Sequence, residues 1–147
     1  MNFREQALKN RYRLLVSLSY HWRHEKHKGQ AELAEVLTRT AIEQGYTEPR
    51  KAPAGNTINT WIKKRECPAW SVKAATKLLL DFKDYLPNTD DESRALGLAL
   101  AEVFPHSKVP ADFDQILPEH LKGILTESLL EDAIRNRKLA VGKKEGL

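Results

Sequence analysis

Apolar residues recur along most of the chain at helical spacing, and glycines and prolines mark the breaks between the periodic stretches. Phe3, Ala7, Leu8, Tyr12, Leu15, Leu18 and Trp22 fall three or four positions apart, which predicts one amphipathic helix over residues 3–23. The polar run His24-Glu25-Lys26-His27-Lys28 follows, and Gly29 can supply a left-handed helix end. A second helix is predicted from Gln30, with Leu33, Ala34, Leu37, Ala41 and Ile42 facing inward and Gly45 as its stop. Residues 45–55 hold two prolines and two glycines, so they form a loop. Asn56 is the expected N-cap of a third helix running from Thr57 to Arg65 and ending before Pro68. Ser71 is the expected N-cap of a fourth, which uses Val72, Ala75, Leu78, Leu79 and Phe82 and reaches Leu86.

The pattern then changes. Pro87-Asn88-Thr89-Asp90-Asp91 reads as a turn and as a domain boundary. Glu92–Phe104 predicts a helix with Leu96, Ala99, Leu100 and Val103 on one face, and residues 105–118, with three prolines, leave room for one short helical turn. Pro118 is expected at the first position of a final helix that buries Leu121, Ile124, Leu125, Leu129 and Ala133 and frays into Lys143-Lys144. The expected architecture is all-α: residues 1–87 form one helical domain, and residues 88–147 form a smaller acidic helical module with a basic tail, a candidate for oligomerisation.

Composition supports a folded helical chain, with 41% hydrophobic residues among 147 and few aromatics. Charge is distributed unevenly. Residues 1–77 carry 15 Lys/Arg against 7 Asp/Glu, a net +8, whereas residues 78–147 carry 9 against 13, a net −4. A basic first half suits a polyanionic partner, although charge blocks also arise as solvated faces. The lone cysteine, Cys67, forms neither an intramolecular disulfide nor a cysteine-based zinc site. No stretch is long and apolar enough for a membrane span, and charges at Arg4, Glu5, Lys9, Arg11 and Arg13 interrupt any leader-like block. A cytoplasmic protein is expected.

The third helix carries the functional signal. Ile58, Trp61 and Ile62 lie at i, i+3 and i+4 and form an apolar stripe for packing. Thr57, Asn59, Thr60, Lys63 and Lys64 project elsewhere, and with Asn56 they make a polar surface without an acid. Amides pair with adenine edges, hydroxyls donate, accept or touch thymine methyls, and ammonium groups bond guanine or phosphate, so these six residues are the expected base readers. The free amides at the helix start suit a phosphate oxygen.

The order of a supporting helix, a connection and a polar-faced helix is that of a helix-turn-helix unit. Thr57-Ile58-Asn59-Thr60-Trp61-Ile62, followed by Lys63-Lys64-Arg65-Glu66-Cys67-Pro68 and Ser71, resembles the recognition helix of lambda-repressor-like (Cro/cI-type) regulators. Gln30-Ala31-Glu32-Leu33-Ala34 resembles the opening of that family's second helix, where the Gln touches phosphate. The likeness covers residues 28–80. It departs from the family in the connection, since Thr38–Gly55 separate the matching pieces and Arg50 and Lys51 lie in an insertion. The resemblance implies a double-stranded DNA-binding transcriptional regulator of phage or mobile-element type, a repressor acting by operator occupancy as a homodimer. Lys28, Gln30, Arg50, Lys51 and Arg65 are the expected phosphate contacts. The Leu121, Leu125 and Leu129 face either makes the dimer contact or covers the core. The rival readings are a factor binding a host protein through its acidic half, and a DNA-binding accessory in replication.

Other features carry less. His21, His24 and His27 repeat every three residues, but that spacing spreads them around the helix, and Lys26 and Lys28 oppose a cation, so no metal is expected. No phosphate loop, carboxylate pair or activated nucleophile is present in the sequence, so neither catalysis nor a cofactor is expected. Arg65 is close enough in sequence to lower the Cys67 thiol pKa slightly. Trp22 and Trp61 fall in core register, whereas Trp70 sits at a helix junction.

Overall fold

Asn2 opens the chain's first helix, α1 (Phe3–Asn10), with a reciprocal cap. Its Oδ1 accepts the Glu5 amide at 2.8 Å, and Glu5 Oε1 accepts the Asn2 amide at 3.3 Å. The single helix expected over 3–23 is interrupted at Arg11, after which α2 (Tyr12–His21) passes into a π-helical turn, Trp22–Lys26. Asn10 sits at the break and bonds to both sides. Its side-chain amide donates to the Gln6 carbonyl at 2.8 Å, and its Oδ1 accepts from Arg13 Nε at 2.8 Å. Such side-chain bonds compete with the backbone ladder and bend helices.

The computed structural model describes residues 1–138. After α2 come α3 (Gln30–Glu43), α4 (Gly55–Lys64), α5 (Ala69–Leu79), α6 (Asp90–Val103) and α7 (Glu127–Asn136). Two 3₁₀ turns, Pro110–Gln115 and Glu119–Leu121, lie between α6 and α7. The chain is all-helical, and no strand occurs among the described residues. The tail Lys143-Lys144 lies outside them.

The boundary expected at residue 87 does not coincide with a break in packing. Leu14, Leu18 and Leu37 from the first half share one buried cluster with Leu96, Leu100 and Phe113 from the second. The helix α6 packs on α1 and α5, and α7 packs on α6. Leu129 of α7 lies over Gly97, where a Cβ would stand 2.4 Å from its Cδ2. Arg4 Nη1 donates to the Asn136 carbonyl at 2.7 Å and ties the start of the chain to the end of α7.

Two local expectations are corrected, and one open alternative is decided. Ser71 is buried inside α5, not its cap; its hydroxyl donates to the Pro68 carbonyl at 2.7 Å, and α5 ends at Leu79. Pro118 opens only a three-residue 3₁₀ turn, because Gly123, at φ +76°, reverses the chain before Thr126 caps α7. Leu121 and Leu125 are buried in the common core, and Leu129 lies against Gly97, so this face covers the core.

Glu92 joins the two halves chemically. It is only 3% exposed at the start of α6. Its Oε2 accepts from Ser17 Oγ of α2 and from the Tyr85 hydroxyl, both at 2.8 Å, while Oε1 accepts the Asn88 amide at 3.3 Å. Burial, reinforced by the Glu92 charge, pushes the Tyr85 phenol well above its ordinary value.

Replacing Glu92 with Ala leaves two buried hydroxyls without an acceptor and should lower stability by about 1–3 kcal/mol, measured by urea unfolding. The Tyr85 shift also fixes a pH dependence. The unfolded chain releases this proton near pH 10.0, whereas the folded chain retains it. Stability is therefore full below that pH and falls as pH rises above it. Tyr46, pushed up to about 12 by burial, adds to the same fall. Urea midpoints measured from neutral to strongly alkaline pH should decline, and Tyr85→Phe should flatten the decline.

Candidate nucleic-acid interface

The N-termini of α3 and α4 meet at Gly55. A Cβ built there would stand 2.6 Å from the Ala31 nitrogen and 2.8 Å from the Gln30 carbonyl carbon. Those are backbone atoms that cannot swing aside, so only glycine admits this approach. The helix α4 starts two residues earlier than the sequence suggests. Ala54 takes the extended N-cap conformation (φ −62°, ψ 151°) after Pro53, and Asn56 falls within the first turn. Asn56 is therefore not the cap, and its exposed side chain is left to face outward. Neither α3 nor α4 has a side-chain cap, so two sets of free first-turn amides lie side by side. Adjacent positive helix ends of this kind favour an anion.

Gln30 fixes the angle between the helices. Its Nε2 donates to Asn59 Oδ1 on α4 at 2.9 Å and to Ser19 Oγ on α2 at 3.2 Å. Asn59 thus keeps its amide N–H groups for an outside acceptor. Thr60 donates its hydroxyl to the Asn56 carbonyl at 3.1 Å, which leaves its oxygen as an acceptor and its methyl for apolar contact.

The inner stripe of α4 packs as the spacing predicts, with Ile58 fully buried and Trp61 and Ile62 partly so. Trp61 meets Trp70 edge to face with ring centroids 5.8 Å apart, and the Arg50 guanidinium stacks on Trp70 at 4.8 Å. The loop between α3 and α4 is thereby anchored to the start of α5. Stacking holds the guanidinium plane while its N–H groups stay available.

The remaining expected residues divide by environment. Asn56, Asn59, Thr60, Lys63 and Lys64 are exposed together on α4, and Thr57 is half-buried. Lys51 is exposed in the loop. Lys28 pairs with Glu32 at 3.5 Å across the surface, so it would have to exchange partners to reach a phosphate. Arg65, expected as the last helical residue, is instead the left-handed C-cap at φ 57°, and its guanidinium lies 5.3 Å from the Tyr12 ring. Sequence reasoning did not single out Ser19, Gly55 or the docking of Arg50 on Trp70. A glycine placed at a helix start was the one available signal, for Gly55.

The histidines are dispersed: His21 Nδ1 meets Glu25 Oε2 at 2.8 Å, and His27 caps the π turn in a left-handed conformation at φ 55°. Among the described residues no group of three or more His, Cys, Asp or Glu is arranged for a metal. Burial pushes the Cys67 thiol up to about 11, and the Arg11 guanidinium only partly opposes this. The expected lowering by Arg65 is reversed, because desolvation outweighs the nearby charge. Protein-family models, curated proteins and solved structures were compared with this chain, and none matched.

Gly55→Ala should destabilise the fold by about 1–3 kcal/mol despite alanine's better helix propensity, since the added methyl must push the α3 and α4 backbones away from each other. Gly29→Ala, whose Cβ would meet nothing within 4 Å, should cost less than about 1 kcal/mol, the loss of a glycine N-cap on α3 alone. Thermal melts of the two variants test this contrast. Cys67 should react slowly with iodoacetamide in the native protein at pH 8, and faster as pH approaches 11. Labelling at native rates equal to those in urea would contradict its burial.

Proposed function

We propose that this chain is a non-enzymatic, sequence-specific double-stranded DNA-binding protein, a transcriptional regulator of repressor type that acts by occupying an operator as a homodimer. The observation that carries the reading is the pairing of α3 and α4. Two uncapped helix ends sit together beside an exposed α4 face of amides, a hydroxyl and lysines without an acid, and Glu32 in the first turn of α3 is paired with Lys28.

On this reading, the adjacent amides of α3 and α4 hold a phosphate and set the register of α4 on the duplex. Asn56, Asn59 and Thr60 then meet base edges, and Lys63 and Lys64 reach guanine or the flanking phosphates. Arg50, prepositioned on Trp70, and Lys51 hold the backbone. A ten-residue helix reads few base pairs, so two copies on two-fold half-sites supply the remaining specificity.

Binding is tested on random and selected duplexes across a salt series. A selected duplex should be preferred, with affinity falling steeply as salt rises. Asn56→Ala, whose side chain makes no bond within the chain that must be broken, should cost about 1–3 kcal/mol at one base position and relax preference there. Arg50→Ala should weaken all duplexes alike and reduce the salt slope by about one. Absence of duplex binding at low salt sinks the reading.

A further inference from the structure

Among the described residues, the large apolar side chains left exposed are Met1, Val16, Tyr20, Leu86, Val109 and Ile124. Three of them converge. Val16 (43% exposed) and Tyr20 (56%) on α2, with Leu86 (46%) on the segment after α5, line one groove of about 440 Å³. Val16, Tyr20 and His21 form one wall, and Asp84, Leu86 and Asn88 form the other.

The two walls run in opposite directions. The His21 ring lies 5.8 Å from Phe82 and 5.9 Å from Tyr85, whereas Ser17, one turn earlier on α2, shares the Glu92 carboxylate. Asp84 therefore stands at the Tyr20 end of the groove, and residues 88–92 stand at the Val16 end. The walls also differ in charge. Arg13, Arg23 and His24 continue the Val16–Tyr20 stripe at helical spacing, the His24 ring is 4.2 Å from that of Tyr20, and the one acid on this ridge, Glu25, is bonded to His21 at 2.8 Å. The opposite ridge carries Asp84, Asp90 and Asp91, with Lys83 among them and Arg94 paired to Asp91.

We propose that this groove is the self-association face of the protein and that its occupant is a second copy of the same chain. A two-fold axis lying along the groove exchanges the walls while preserving position along it. The basic α2 ridge of each copy then faces the acidic ridge of the other, Arg23 and His24 stand opposite Asp84, and the apolar centre meets its own image. A face with one sign only would repel itself in that arrangement. The inference rests on the reading of a DNA-binding dimer, and the Leu121, Leu125 and Leu129 face is already spent on the core. None of the groove residues belongs to the α3–α4 interface. Three apolar side chains make a contact smaller than the roughly 800 Å² per partner of a standard interface, so association is weak in solution and is strengthened where two half-sites hold two copies.

The test is sedimentation velocity of the full chain from about 1 to about 500 µM, a range suited to a weak interface. A concentration-dependent dimer is expected, and Val16→Glu and Leu86→Glu should each raise its dissociation constant at least about tenfold while circular dichroism and melting stay unchanged. Arg23→Glu should weaken the dimer, and adding Asp84→Arg should restore it. On a duplex with two half-sites Val16→Glu should lose cooperative binding, with affinity for a single half-site intact. A monomer throughout the range, or a dimer indifferent to both Val16→Glu and Leu86→Glu, overturns the proposal. A Val16-sensitive dimer that binds no duplex supports this contact and overturns the DNA reading alone.

Discussion

Two helix backbones touch at Gly55 with no side chain between them, and the geometry of the candidate interface depends on that contact. The approach brings the free amides of α3 and α4 into one region, which neither helix could achieve alone. It also brings Gln30 close enough to bond Asn59 and Ser19 at once, so three helices share one amide. That bond orients Asn59 with its N–H groups outward. A methyl at residue 55 would separate the amide sets and break the amide's reach in a single step.

The helix α4 has little stability of its own. Its ten residues include Gly55 and the β-branched Thr57, Ile58, Thr60 and Ile62, a composition far below what an isolated helix needs. Tertiary contacts therefore hold it: Ile58 in the core, Trp61 on Trp70, and the Arg65 cap beside Tyr12. The loop from 44 to 54 belongs to this support. Loop length alone adds little entropy, and the Arg50 stack on Trp70 removes some of what remains. An inserted loop that is docked in this way can present cations at a fixed place rather than sweep them through solvent.

Periodicity made the helices and the two faces of α4 legible, because both follow from spacing along one segment. What joins segments was not legible. The Gln30–Asn59 bond spans 29 positions, and nothing in either stretch announces the other. Asn56 looked like a cap because its side chain suits that role, yet Pro53-Ala54 set the extended residue two positions earlier and Gly55 had to begin the helix. Arg11 carries no helix-breaking signal, and the interruption there accompanies the bonds of Asn10 to its neighbours on both sides. The boundary at 87 was drawn from a shift in surface charge. Surface charge is free to change along a chain without any change in the core beneath it, and here Leu96 and Leu100 share one buried cluster with Leu14 and Leu37.

That shared core gives the charge asymmetry a different meaning. The acidic helices α6 and α7 are not a separate module on a linker; they are fixed to α1 and α5, and Glu92 is bonded to α2. The charges that these helices carry therefore surround one shared core among the described residues. If duplex DNA is the partner, Lys63 and Lys64 of α4 with Arg50 and Lys51 of the loop attract it, Glu32, Glu35 and Glu43 of α3 oppose this, and the acids of α6 and α7 disfavour approach along those helices. Salt would weaken this long-range steering within about 10 Å of screening at 0.1 M, whereas phosphate held directly on the paired amides at Gly55 would be screened less. The short-range contact and the long-range field then act on the same face for separate reasons: one is set by a missing methyl, the other by where the chain placed its acids.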